Sequence, residues 1–194
     1  MPANPAKTSV QPARFCLSGL LLVGCLLILQ NQFRLVIVVG DSMQPSLGHG
    51  DLLIADKREY RERDPERGEL VVAWRRGELI VKRVVGIPGE EVEVIDGSLF
   101  VDGLPVVEEY GPQGDRLSIR RGRLAPDRFA LLGDNRGLVE GQTVHAIVSK
   151  EEMVGRVVVI WRLRGKDRAE PTTVASQFGS HSRSHLEAEK TGLW

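Results

Sequence analysis

The chain has 194 residues, enough for one domain with a sizeable core and a short appendage. Lysine plus arginine and aspartate plus glutamate both total 26, so the overall charge does not point to nucleic acid or to acidic partners. The two cysteines, Cys16 and Cys25, both lie in the first apolar run, so a disulfide framework is not the source of stability.

The N-terminal part of the chain has the pattern of a membrane anchor. Residues 1–14 form a polar tail, and residues 15–33 carry no charge. As a helix this run would measure about 28 Å, roughly the hydrocarbon thickness of a bilayer. A cleaved signal peptide and a buried helix are the alternatives, although residues 29–32 offer no small-x-small cleavage site. Lys7 and Arg14 precede the run, which predicts a cytoplasmic N-terminus, with everything after Arg34 on the outer face of the cell membrane.

After the anchor, the periodicity changes to that of short β-strands. Asp96-Gly97 and Asp102-Gly103 are dipeptides typical of type I′ hairpin turns, because aspartate and glycine accept positive φ angles. The apolar runs predict strands at residues 35–39, 52–55, 70–74, 79–85, 92–95, 99–101, 129–132 and 155–161.

The remaining segments are polar. We interpret residues 58–67, a dense charge cluster, as a solvated loop, and residues 111–123 as another polar excursion. A capping-box pattern at residues 149–152 predicts a short helical turn. The tail, residues 165–194, has little to bury and is predicted to be disordered. The prediction is therefore a mainly β domain over residues 35–164.

Ser42 and Lys82 are the residues that point to catalysis. Ser42 follows one apolar strand in the run Gly-Asp-Ser-Met-Gln-Pro-Ser-Leu, and Lys82 ends another strand forty residues later. A serine hydroxyl becomes a good nucleophile when a base removes its proton, and lysine acts as that base when burial lowers its pKa. The pair predicts a Ser–Lys hydrolase.

Three sequence blocks resemble the type I signal peptidases, a family of membrane-anchored Ser–Lys endopeptidases. They are residues 41–47, residues 82–90 and residues 133–136, in the order of the family. The resemblance implies a single compact catalytic domain of the signal peptidase type, built as a β-barrel-like or coiled sheet. It also implies that the chain cleaves signal peptides at Ala-x-Ala-like sites in exported preproteins, with the lipid bilayer as a second partner. We expect no nucleic-acid partner, no cofactor and no metal.

The resemblance also assigns roles to individual residues. Ser42 would form an acyl-enzyme, neutral Lys82 would act as the general base, and the Ser42 N–H would help to hold the oxyanion. Gly40 stands where many bacterial members carry a hydroxyl side chain, and Arg83 and Asp134 match an electrostatic pair. The supporting residues implied in this way are Gly40, Asp41, Met43, Arg83, Gly133, Asp134 and Asn135.

The third block departs from the family pattern. Val139 occupies the position of a serine that would orient the lysine, and residues 141–143 read Gly-Gln-Thr where Asp-Ser-Arg is usual. Because of this departure, a catalytically weakened or silent membrane-tethered β domain that binds extended peptides stays an alternative. A self-cleaving peptidase of the repressor type is a second alternative, because such proteins share the Ser–Lys dyad and some carry the run Gly-Asp-Ser-Met. Of the four histidines, His145 lies in the altered region and is interpreted as a strand or surface residue.

Overall fold

The structure, a computed structural model, describes residues 12–138, 145–162 and 171–173, and the side chains of residues 18–138 and 145–162. Residues 139–144, which contain the altered part of the third block, lie outside the described residues. The same holds for most of the predicted tail, residues 165–194.

The chain divides into two units, Met1–Gln32 and Phe33–Trp194. The described part of the first unit is helix α1 (Pro12–Gln32), which begins three residues before the predicted run and ends one residue before its end. Its leucine side chains are largely exposed, and the thiol of Cys25 is exposed and free. Over the residues that the structure describes, no helix has both the length and the apolar character needed to cross a membrane.

The second unit is built from short strands, as the sequence predicts. In chain order they are β1 (Phe33–Ile37), β2 (Leu52–Asp56), β3 (Leu70–Arg75), β4 (Glu78–Gly86), β5 (Glu91–Ile95), β6 (Ser98–Val101), β7 (Leu104–Pro105), β8 (Ile119–Arg123), β9 (Arg128–Leu132), β10 (His145–Ser149), β11 (Met153–Trp161) and β12 (Pro171–Thr173). A single helical turn, α2 (Glu59–Glu62), lies between β2 and β3.

These strands form two antiparallel sheets. The larger has the order β1-β2-β11-β3-β4-β9-β10, with β12 paired to β11, and the smaller has the order β7-β6-β5-β8. The mainly β prediction is confirmed. Among the described residues, β1 pairs with β2 alone and β10 with β9 alone, so the larger sheet has two edges and does not close into a barrel.

The predicted hairpins have the expected geometry. β3 and β4 pair in register from Leu70 opposite Arg83 to Arg75 opposite Glu78. At the turn between β5 and β6, φ is 47° at Asp96 and 77° at Gly97. Positive φ at both central residues is what a type I′ turn requires, so this dipeptide fixes the register of the smaller sheet.

The segment interpreted as a solvated loop, residues 58–67, is more ordered than the sequence suggests. It contains α2, whose Tyr60 is buried and donates a hydrogen bond to Glu69 at 3.1 Å. Arg63 forms ion pairs with Glu59 and Glu69, and burial together with the Glu69 carboxylate raises the pKa of the Tyr60 hydroxyl. A dense run of charges therefore packs here because its members pair with one another.

The helical turn predicted from the capping box does not form. Ser149 ends β10, and residues 150–152 form the tight turn into β11. The Glu152 side chain still accepts a hydrogen bond from the Ser149 N–H at 2.7 Å, as it would in a capping box. The prediction of a helical turn is therefore wrong, because strand pairing on both sides decides the structure.

Three clusters of buried side chains form the core. One lies beneath the segment that carries Ser42 and comprises Val38, Met43, Leu47, Leu53, Ala55, Leu70, Val72, Val157 and Ile160. The second is centred on β3, β4, β9 and β10, and the third joins the smaller sheet to β9. The reactive segment is thus supported by close-packed apolar side chains.

Candidate active site

Ser42 lies on a turn that is fixed at both ends. The Val38 N–H donates to Asp51 O at 2.9 Å, and the Leu47 N–H donates to Met43 O at 2.8 Å. The Met43 side chain is 2% exposed and belongs to the core cluster beneath the turn. These contacts hold the turn in place while the Ser42 hydroxyl points toward β4.

Lys82 supplies the amine that meets this hydroxyl. It lies on β4 opposite Val71, is 3% exposed, and its Nζ donates a hydrogen bond to Ser42 Oγ at 2.5 Å. Burial lowers the pKa of Lys82 to about 8, and the Asp134 carboxylate acts in the opposite direction. A fraction of the amine is therefore neutral near physiological pH and able to accept a proton.

Arg83, the next residue on β4, is held by ion pairing. Its Nε donates to Asp134 Oδ1 at 3.0 Å and its Nη2 to Asp134 Oδ2 at 2.7 Å. It also donates to Gly68 O at 2.7 Å and to Ser46 Oγ at 3.1 Å. Arg83 and Asp134 have 5% and 0% exposed side chains, so a paired charge lies directly behind the reactive amine.

The third sequence block connects to the serine turn through Asn135. Its backbone N–H donates to Ser42 O at 3.1 Å, and its Nδ2 donates to Asp41 O at 3.2 Å. Its Oδ1 accepts from the Gly137 N–H at 3.2 Å. Gly133 O accepts from Arg136 Nε at 2.7 Å. The structure thus brings together the residues of all three blocks.

Gly40 lies beside the serine turn, with open space where a side chain would be. It has a φ of 94°, and an added Cβ would meet no atom within 4 Å. Its N–H donates to His49 Nδ1 at 3.1 Å. This contact was not predicted, because no pattern in the sequence links the His49 side chain to the Gly40 backbone.

A groove leads to the Ser42–Lys82 pair. Its volume is about 460 Å³, and it is lined on one side by residues 36–43 and on the other by residues 78–82. Apart from Asp41, Ser42, Glu78 and Lys82, its walls are mostly apolar. It can accept an extended chain with small apolar side chains.

Several residues near the site were not identified from the sequence. Arg136 is fully buried and pairs with Glu108 at 2.6 Å, and the ring of Tyr110 lies against Arg83. His145, by contrast, was interpreted as a strand or surface residue, and this is confirmed: it is exposed, lies on β10 opposite Leu132 and lines a separate apolar cavity of about 120 Å³. Glu108 and Tyr110 come from a segment without strand or helix pattern, and nothing in the sequence links it to Arg83.

The sequence matches a known protein family over most of its length. The family described as "Signal peptidase, peptidase S26" matches residues 11–162. A probable signal peptidase I-2 from Synechocystis is 34% identical over 130 residues, covering 63% of this chain and 60% of that protein. Signal peptidase I from Leptolyngbya laminosa is 28% identical over 173 residues, covering 81% of this chain and 85% of that protein. The chain thus spans less than two thirds of the Synechocystis relative.

A solved structure gives a more partial likeness. A signal peptidase I from Enterococcus faecalis covers 48% of this chain and 97% of its own, with 21% sequence identity and a TM-score of 0.39. At that score the overlap does not establish a shared fold.

Proposed function

Because the chain belongs to the signal peptidase family, peptidase S26, we propose that it is a membrane-attached serine endopeptidase that removes signal peptides from exported preproteins. Ser42 is the nucleophile and Lys82 is the general base. The observation that carries the proposal is the 2.5 Å contact between Lys82 Nζ and Ser42 Oγ, made by a buried amine.

In the proposed reaction, neutral Lys82 takes the hydroxyl proton as Ser42 Oγ attacks the carbonyl carbon before the cleavage site. The C–N bond then breaks, the leaving amine receives the proton from Lys82, and an acyl-enzyme remains. Lys82 next removes a proton from water, which attacks the ester carbon. The C–O bond to Ser42 then breaks, Lys82 returns the proton to Ser42 Oγ, and the signal peptide is released with a free carboxyl group. The Ser42 N–H stabilises the oxyanion in both steps. Gly40 offers no hydroxyl, so a second donor would come from the substrate, from solvent or from backbone.

The groove supports an extended substrate. On β1 and on residues 78–82 of β4, one strand edge has no partner strand within the described part of the chain, because β9 pairs only with Arg83 to Gly86 of β4. A peptide lying between two open edges can form main-chain hydrogen bonds with both, and the apolar walls then select small apolar side chains. This geometry favours Ala-x-Ala-like sites.

We also propose that α1 attaches the chain to a membrane, with the N-terminus in the cytoplasm and the catalytic domain on the outer face. Leu20 and Leu21 on this helix are 70% and 67% exposed, and water is a poor environment for such a surface. Extraction of the full-length chain from membranes at alkaline pH would test this, since an anchored chain stays in the pellet and a peripheral one is released.

The test of the catalytic proposal is cleavage of a preprotein bearing an Ala-x-Ala site by the full-length, detergent-solubilised protein. We expect cleavage by the wild type and a loss of at least about 1,000-fold for Ser42→Ala and for Lys82→Ala. Ser98→Ala, at an exposed position on β6, and Lys150→Ala, on the turn before β11, are matched controls expected to cleave normally.

Two outcomes would contradict the proposal in different ways. Cleavage that survives both substitutions would show that Ser42 and Lys82 do not carry the reaction. Saturable binding of the preprotein without cleavage by the wild type would instead favour a silent peptide-binding domain.

A further inference from the structure

The segment after β7 covers the side of Arg83 that Asp134 leaves open. The centroid of the Tyr110 ring lies 3.8 Å from Arg83 Cζ, so the guanidinium stacks on the ring face. Such a contact attracts the cation and fixes the plane of its guanidinium group. Arg83 is therefore sandwiched between a carboxylate and an aromatic ring that belong to different parts of the fold.

Glu108 and Arg136 hold Tyr110 in this position. The Tyr110 hydroxyl contacts the Glu108 carboxylate, and Arg136 Nη2 donates to the same hydroxyl at 3.4 Å. Arg136 Nη2 donates to Glu108 Oε1 at 2.6 Å, and its Nη1 donates to Gly97 O at 2.8 Å. Burial raises the pKa of Glu108 and the Arg136 guanidinium opposes that shift. The Tyr110 side chain is thus fixed at its distal end.

The backbone of the same segment is also joined to the third sequence block. The Gln113 N–H donates to Asp134 O at 2.8 Å, and the Arg136 N–H donates to Gln113 O at 2.5 Å. At Gly114 the two segments of the chain approach so closely that an added Cβ would lie 2.2 Å from the Gly137 nitrogen. Movement of this segment would therefore move Asp134 and Asn135 with it.

We propose that residues 108–114, hereafter the Tyr110 clamp, hold Arg83 against Asp134, and that Tyr110 is a positioning residue for the Ser42–Lys82 pair. The proposal rests on the proposed function of that pair. It assigns to the smaller sheet a role in catalysis, because two residues, Val106 and Val107, join β7 of that sheet to the clamp.

The mechanism is electrostatic. Among the described residues, the charged groups around Lys82 are Asp134 and Arg83 behind it and Asp41 and Glu78 along the groove. While Arg83 stays on Asp134, its positive charge offsets the attraction between the carboxylate and the Lys82 ammonium. If Arg83 loses its stacking partner and moves away, Asp134 stabilises the ammonium more strongly and the pKa of Lys82 rises. Less of the amine is then neutral at a given pH.

The experiment compares pH profiles of kcat/KM for the wild type and for Tyr110→Met and Tyr110→Leu, which keep apolar bulk but remove the ring. In the ring-less variants we expect the rising part of the pH profile to shift to higher pH by about one unit. At acidic pH this shift lowers kcat/KM about tenfold, and at high pH the variants should reach the wild-type rate. Tyr110→Phe restores the ring and should move the profile back. Val107→Ala, at a position 89% exposed on the same segment, is the control.

A second measurement reads Lys82 directly. The chain has six lysines, so ¹³C NMR of lysine-labelled protein gives few resonances, and Lys82→Arg identifies the relevant one. Thermal unfolding of each variant shows that it is folded before it is titrated. We expect the Lys82 titration midpoint to rise in Tyr110→Met and to return with Tyr110→Phe.

These measurements separate failure of the clamp from failure of the proposed function. Ser42-dependent cleavage with an unchanged pH profile and an unchanged Lys82 midpoint in the folded ring-less variants would overturn the clamp. If the Lys82 titration midpoint rises in the ring-less variants but the wild-type protein does not cleave, the clamp is supported and the proposed peptidase function is rejected. An equal loss of rate at every pH would show a merely structural role for Tyr110 and would also overturn it.

Discussion

Lys82 and Arg83 are adjacent cations on the same strand, but their side chains have different kinds of partner. Both are nearly inaccessible, with exposures of 3% and 4%. Arg83 has Asp134, Gly68, Ser46 and the Tyr110 ring as partners, whereas within the described residues Lys82 hydrogen-bonds to Ser42. The strand places one on each of its faces, since successive side chains alternate.

The two environments differ in the partner that each cation meets: Arg83 faces a carboxylate, whereas Lys82 faces a hydroxyl, and burial lowers the pKa of Lys82. A buried cation that is fully paired remains charged, and a buried cation with a neutral partner gives up its proton more readily. Lys82 is suited to exchange protons and Arg83 to hold a fixed charge. Each prediction below tests one side of this comparison.

The largest effect is expected from breaking the Arg83–Asp134 pair. Arg83→Met leaves the fully buried Asp134 carboxylate without its partner, so the free energy of unfolding should fall by about 3–5 kcal/mol. Chemical denaturation measures this. The double variant Arg83→Met/Asp134→Leu should recover much of the loss, and a single variant as stable as the wild type would show that the pair is not anchored as described.

The next effect concerns the pH dependence of cleavage. Lys82 must be neutral to accept a proton and its pKa is lowered to about 8, so the rate should rise tenfold per pH unit below that value and level off above it. Between pH 6 and pH 8 this is about 50-fold, because half of the amine is already neutral at pH 8. Steady-state cleavage across that range gives the profile, and a rate that is constant there would eliminate Lys82 as the base.

A smaller and opposite effect is expected on stability. Lys82→Met removes a buried ammonium, so at pH 7 it should raise the free energy of unfolding by about 1–4 kcal/mol while abolishing cleavage. The sign follows from the lowered pKa: between about 8 and 10.5 the native state has lost the proton that the unfolded state still holds. Wild-type stability should therefore rise with pH in that window, and the advantage of the variant should shrink. A variant less stable than the wild type at pH 7 would mean that the ammonium is well accommodated.

The smallest effect is expected at an exposed cation. Arg121 on β8 pairs with Glu91 and Glu93 and is 52% exposed. Because solvent screens such pairs, Arg121→Ala should change the free energy of unfolding by no more than about 0.5 kcal/mol. Chemical denaturation under the conditions used for Arg83→Met provides the comparison. A similar loss in the free energy of unfolding for both variants would show that burial does not explain the importance of the Arg83–Asp134 pair.

Local patterns in the sequence predicted most of the strands. The hairpin of β5 and β6 follows from Asp96-Gly97, and the hairpin of β3 and β4 follows from two apolar runs around a short polar link. Such features depend on neighbours along the chain, so one sequence is enough to find them. The sequence analysis did not predict β8 and β10. Three of the five residues of β8 are arginines, so it has no apolar run. Both strands form by pairing with distant strands, β8 with β5 and β10 with β9, which is a tertiary effect.

The same distinction applies to the site. Ser42, Lys82, Arg83 and Asp134 were found because each lies in a short block of characteristic composition, and the structure brings them into contact. Glu108 and Tyr110 lie in a polar segment with no periodicity, and their contacts with Arg136 and Arg83 span more than 25 residues of chain. A single sequence contains no signal for such a long-range contact.

The close approach at Gly114 has a consequence for how mutations in this protein would be interpreted. Gly114 has a φ of 93°, and its Cα hydrogens occupy the space between Gly137 and the neighbouring turn, where an added Cβ would overlap backbone atoms. A side chain of any size would push the segment around Gly114 away from the third block, although Gly114 lies 72 residues after Ser42 in the chain. Under the proposed function, a mutational screen scored by secretion alone would therefore rank Gly114 with Ser42, although the two belong to different segments of the chain.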